Sequence, residues 1–140
     1  MHRQGQPYSP TQVPVLIEAT DSSVIGRPIG LPMLVEFAPG LRFRLRPGQN
    51  HLALPPGYYH ARLWSQYTFW HVGKATLDID TTRGPVRFFY AAPHTIYHSG
   101  AAGFHPQERP GGSWRTAYYL LALLGLVLSL ILLFVVLTHF

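Results

Sequence analysis

Residues 41–64 read LRFRLRPGQNHLALPPGYYHARLW, and their pattern decides the fold. From 41 to 46 the chain alternates strictly, with Leu41, Phe43 and Leu45 on one side and Arg42, Arg44 and Arg46 on the other. A period of two belongs to an extended strand with one face buried, here with a basic outer face. Pro47-Gly48 then turns the chain, and residues 51–54 predict a short strand. Pro55-Pro56-Gly57 turns it again, before a longer strand over 58–67.

Upstream, residues 13–19 (VPVLIEA) and 33–37 (MLVEF) predict two more strands, with Pro14 near the start of the first, where a missing donor is tolerated. Asp21, Ser22 and Ser23 predict a turn, and the Gly and Pro residues between 26 and 32 a loop. Downstream, residues 66–73 read as irregular. Residues 74–80 (KATLDID) alternate with Ala75, Leu77 and Ile79 inward, 81–85 turn, and 86–91 (VRFFYA) close the set. About seven short strands with Pro-Gly punctuation predict a small antiparallel β-sandwich over residues 13–91. Residues 1–12 are polar and aperiodic and read as a disordered arm. Residues 92–116, rich in Gly, Pro and His, read as a linker that lies partly against the sandwich.

Residues 117–138, AYYLLALLGLVLSLILLFVVLT, contain no charge and no proline. As a helix they reach about 33 Å, slightly more than the ~30 Å hydrocarbon core of a bilayer. Only a helix satisfies its own backbone in lipid at that length, so a single transmembrane helix is predicted. Trp114, Arg115, Tyr118 and Tyr119 stand at its start, where amphipathic rings and cations favour the headgroup layer. Basic residues precede the span and only His139 and Phe140 follow it, which predicts a cytoplasmic domain and an outward C-terminus. The first residues lack the apolar core of a secretory signal, so the expected location is the inner membrane, single-pass. Ala122, Gly125 and Ser129 share one helical face, where small residues let a second helix approach.

The chain carries 11 basic and 6 acidic residues, for a net charge of +5, and no cysteine, which excludes disulfides and thiolate chemistry. A basic domain on a membrane stem is drawn to anionic headgroups. The arginine stripe 42–44–46, extended by Arg62 and Arg87 if their strands lie alongside, is the candidate surface for such headgroups or for a membrane protein partner. Trp64 and Trp70, with Tyr67 and Phe69 between them, offer either packing or an exposed aromatic loop. No RNA-binding signature accompanies them, so no nucleic-acid partner is expected. Eight histidines invite comparison with a metal site, but His94, His98 and His105 lack nearby carboxylates before Glu108; no metal and no cofactor are expected. Asp78 and Asp80 share a strand face and read as an exposed polar pair. No phosphate loop or nucleophile elbow is present, so an enzyme is not expected. The functional expectation is a non-enzymatic binding or accessory module on the membrane; a ligand- or metal-sensing domain using the histidine-rich linker is the alternative.

Residues 45–64 are similar to PEGA-type surface domains, small β-sandwiches with a Pro-Gly turn before an alternating strand. Here Leu54, Pro56 and Gly57 fill the turn, and either Tyr59, Ala61 and Leu63 or Tyr58, His60 and Arg62 face inward. From KATLDID through FFYAAP and GFHPQERPG to the apolar span, the chain also resembles a group of uncharacterised actinobacterial single-pass membrane proteins. The resemblance implies a fold and a location, and no activity.

Overall fold

A computed structural model describes residues 12–27 and 29–140. Apart from Gln12, the arm expected over residues 1–12 lies outside them. The elements are β1 (Val13–Ala19), β2 (Met33–Ala38), β3 (Leu41–Leu45), β4 (Gly48–Leu54), β5 (Tyr58–Tyr67), β6 (Trp70–Asp80), β7 (Val86–Ala91), β8 (Ala101–Gly103) and α1 (Gly112–His139). One sheet has the order β4-β1-β7-β8 and the other β3-β2-β5-β6. The protein is thus a β-sandwich followed by one long apolar helix.

Alternation explains the core. Val15 and Ile17, Met33, Val35 and Phe37, Ala61 and Leu63, and Phe88 and Tyr90 point between the sheets and are buried. Each such large apolar side chain contributes about 1.5–3 kcal/mol by leaving water. Tyr59, Ala61 and Leu63 form the inward row of β5, so Tyr58, His60 and Arg62 face out. Tyr90 carries a hydroxyl into this core and donates it to the Gly73 carbonyl at 2.6 Å; burial pushes its pKa up to about 12.

Three features depart from the expected pattern. β1 and β7 run parallel, making that sheet mixed. Residues 70–73 belong to β6, which bends at a bulge where Gly73 takes φ 62° and two residues oppose Trp64. An eighth strand, β8, forms inside the expected linker and pairs with β7.

The register sorts the connections into two ends. Leu45 pairs with Met33, Met33 with Ser65, Ala19 with Gly48 and with Tyr90. Loop residues 20–27 and 29–32, the turn 46–47, the 68–69 hairpin tip and residues 92–98 therefore gather at one end. The turns 39–40, 55–57 and 81–85 gather at the other. α1 leaves from the first, near end: His94 N–H donates to Pro110 C=O at 2.9 Å, just before the helix begins.

Candidate functional site

The joint between sandwich and helix is built by Arg109. Its side chain is largely buried and its guanidinium donates to the carbonyls of Ala92, Pro93 and Ser23, with Asp21 at 3.6 Å. Burial lowers the Arg109 pKa, while Asp21 works against that shift. Asp21 is itself held below the usual carboxylate range by its bond from the Ser23 hydroxyl. His98 Nδ1 lies 2.6 Å from Thr95 Oγ1, and its ring meets Trp114 edge-on at 6.1 Å. His94 is pushed below its ordinary pKa by burial and by the positive charges of Arg109 and Arg115. These histidines fasten the first helical turn to the sandwich; among the described residues no three metal-ligating side chains converge.

The arginine stripe divides along its length. Glu36 sits across from both Arg42 and Arg62 in the sheet register, and bonds Arg42 at 2.8 Å with Arg62 at 3.6 Å. The Arg42 bond is the main reason the Glu36 pKa is lowered. Arg62 thus lies two strands from Arg42, with an acid between. Arg87 does not extend the stripe: it stands on β7 in the opposite sheet, bound to Glu18 at 2.6 Å. Trp64 is a further correction to the exposed-aromatic reading. It lies on the outer face yet is only 6% exposed, stacked on His71 at 4.7 Å and covered by Arg42 at 5.1 Å. Trp70, by contrast, is exposed.

What remains unpaired lies mostly at the near end, with Lys74 midway along β6. Among the described residues, Arg27, Arg44, Arg46, Lys74 and Arg115 make no ion pair, whereas Arg42, Arg62, Arg83, Arg87 and Arg109 each do. Arg44 sits opposite Leu34, one row nearer the helix end than Arg42, and Arg46 follows beyond the last rung. Along the outer face of β6 the order runs from Asp80 and Asp78 at the far end, through Thr76, to Lys74. Of the acids near α1, Asp21 and Glu18 are held by Arg109 and Arg87, and Glu108 stands on the linker.

Exposed apolar side chains follow the same polarity. Outside α1, Ile29, Phe69, Trp70 and Tyr97 stand at the near end, against Tyr58 at the far end and Phe104 beyond β8. Phe69, at the tip of the β5–β6 hairpin, is 94% exposed. That hairpin runs past its last rung with β2, Met33↔Ser65, by about 10 Å at the rise of a strand. Its base is steadied by a small second core of Val24, Leu31 and Val72, with Tyr67 and Ile96 against it.

α1 is long and apolar enough to cross a bilayer, and none of its residues is buried. Trp114, Arg115, Tyr118 and Tyr119 occupy its first turns, as the sequence predicts. Ala122, Gly125 and Ser129 share an exposed face on which none of the described residues packs, and Ser129 Oγ donates to the Gly125 carbonyl at 2.8 Å. A further cleft of about 450 Å³ opens between loop 23–27 and the start of α1.

Arg27, Lys74, Ile29 and Tyr97 were not singled out by sequence. Nothing local marks them; the topology brings them together from two connections and strand β6. No family model, curated protein or solved structure matches the chain.

Proposed function

We propose that the chain is a membrane-anchored binding module, not a catalyst. Its sandwich stands with the near end against the anionic lipid surface into which α1 descends. The observation that carries this reading is the segregation of charge: cations without carboxylate partners collect where the helix leaves, and Asp78 and Asp80 lie towards the far end. Each basic side chain close to an anionic leaflet contributes about 1 kcal/mol, an attraction that fades within a Debye length of about 8–10 Å. That short range makes the end on which the cations sit matter. Phe69 and Trp70, projecting from the same end, are of the residue type that settles among headgroups. Cations preceding the span support placing the sandwich on the cytoplasmic side of an inner membrane.

Amide hydrogen exchange of the full chain in nanodiscs tests this reading. With phosphatidylglycerol present, residues 46–48 and 67–70 exchange more slowly than in phosphatidylcholine alone, and an Arg44→Glu/Arg46→Glu variant loses the difference. Equal exchange of both segments in the two lipids contradicts the reading.

A further inference from the structure

The cleft between sandwich and helix does not follow from the charge segregation alone. Its sandwich wall is loop 23–27, with His94 at its back, and its helix wall is Arg115, Tyr118 and Tyr119. The loop is held in place from both sides. Val24 and Arg27 bridge to each other, Ile25 N–H donates to the His94 carbonyl at 2.9 Å, and Arg109 holds the Ser23 carbonyl. The helix side is fixed by Pro110 and by the His98–Trp114 contact. The walls thus come from segments far apart in sequence, yet they are tied to one another by Arg109.

From this cleft we infer a site for the phosphate headgroup of one anionic phospholipid, a stoichiometric site that rests on the membrane-surface reading given above. Three observations converge on it. Arg27 and Arg115, one from each wall, line a single opening, are exposed and make no ion pair among the described residues; the Arg27 guanidinium lies 5.9 Å over the Tyr67 ring. A guanidinium offers paired N–H donors to phosphate oxygens, and two of them suit a phosphodiester better than a neutral headgroup. The acid nearest the cleft, Asp21, is already committed to Ser23 and Arg109.

Depth supplies the third observation and selects the ligand. Arg115 lies two residues before the apolar run that begins at Ala117, a rise of about 3 Å. Tyr118 and Tyr119 lie at the top of that run, so the opening sits at the level where headgroup phosphates lie and acyl chains begin. A lipid whose phosphate is held by Arg27 and Arg115 would run its chains down α1 past the two tyrosines. A free phosphate would gain nothing from that apolar side. At about 450 Å³ the cleft accommodates a phosphoglycerol headgroup rather than a whole lipid. His94, kept largely neutral there, can donate or accept a hydrogen bond without adding charge.

Native mass spectrometry of the full-length protein released from micelles containing phosphatidylglycerol and phosphatidylcholine tests the site. The expected result is one retained phosphatidylglycerol, with affinity at least tenfold above phosphatidylcholine. Arg27→Gln/Arg115→Gln lowers that affinity tenfold or more, while Arg83→Gln, in the turn at the far end, leaves it unchanged. The substituted side chains are exposed, and an unchanged unfolding midpoint in detergent verifies the fold of each variant. Retention indifferent to Arg27 and Arg115 overturns the site, as does full displacement of the lipid by millimolar inorganic phosphate. Loss of end-on contact in the exchange experiment, with the single lipid still bound, strikes the membrane-surface reading and spares the site.

Discussion

Arg109 shows how one residue joins two parts of the chain. Three carbonyls receive its N–H groups, and two of them, Ala92 and Pro93, begin the segment that leads out of the sandwich. Hydrogen bonds to a charged group are worth about 1.5–3 kcal/mol each, and carbonyls stripped of a donor are costly when covered. Arg109→Met is therefore expected to lower unfolding free energy by about 3 kcal/mol in mild detergent and to speed amide exchange at residues 94 and 95; an unchanged midpoint contradicts the joint. His94 adds a pH dependence. Its folded pKa is lowered by burial and neighbouring cations, so the unfolded chain takes up the proton first. Stability then falls as pH drops through about 6.5, and His94→Gln removes that step from a denaturation series. Asp21, lowered by Ser23, stabilises above its unfolded value near pH 4 and loses that contribution in stronger acid. At this scale the sequence was a partial guide. Among the described residues Arg44 and Arg46 make no ion pair, but the partnership of Arg42 and Arg62 with Glu36 depends on which strands neighbour β2. Trp64 misled for the same reason: alternation places it outside, and only the tertiary arrangement supplies the His71 and Arg42 that cover it.

Among the elements, the β5–β6 hairpin does the most to shape the near end. Gly73 makes its bulge, and the φ of 62° favours glycine. A Cβ there would also stand 2.6 Å from Pro93 Cδ and 3.2 Å from the Tyr90 hydroxyl. Gly73→Ala is thus expected to cost at least about 2 kcal/mol, combining backbone strain with a contact that must shift. Tyr90→Phe, which removes the hydroxyl bonded to Gly73 and leaves a covered carbonyl, is expected to cost about 1–3 kcal/mol. Thermal unfolding of both variants measures these losses, and Gly73→Ala at wild-type stability would show that the bulge does not need glycine. Alternation made most strands legible, and unbroken apolarity made the helix legible. The β1–β7 pairing was not, because parallel register between strands so distant in sequence leaves no mark in local periodicity. Nor was β8, whose three residues, Ala101–Gly103, are too few and too small to alternate.

Across the whole molecule, charge, exposed aromatic surface and the apolar helix share one axis. The sandwich presents unpaired cations, Phe69 and Trp70 where α1 departs and keeps Asp78 and Asp80 towards the opposite end. This polarity cannot be read from net charge, since +5 says nothing about where the charges sit. Because the chain has no cysteine, a single nitroxide reports one position without ambiguity. Labels at Phe69→Cys and at Thr82→Cys, in nanodiscs containing phosphatidylglycerol, measure the axis by their relative accessibility to oxygen and to an aqueous nickel chelate. The account predicts a label at 69 within the headgroup layer, shielded from nickel, and a label at 82 fully open to it; equal nickel accessibility at the two positions would contradict it.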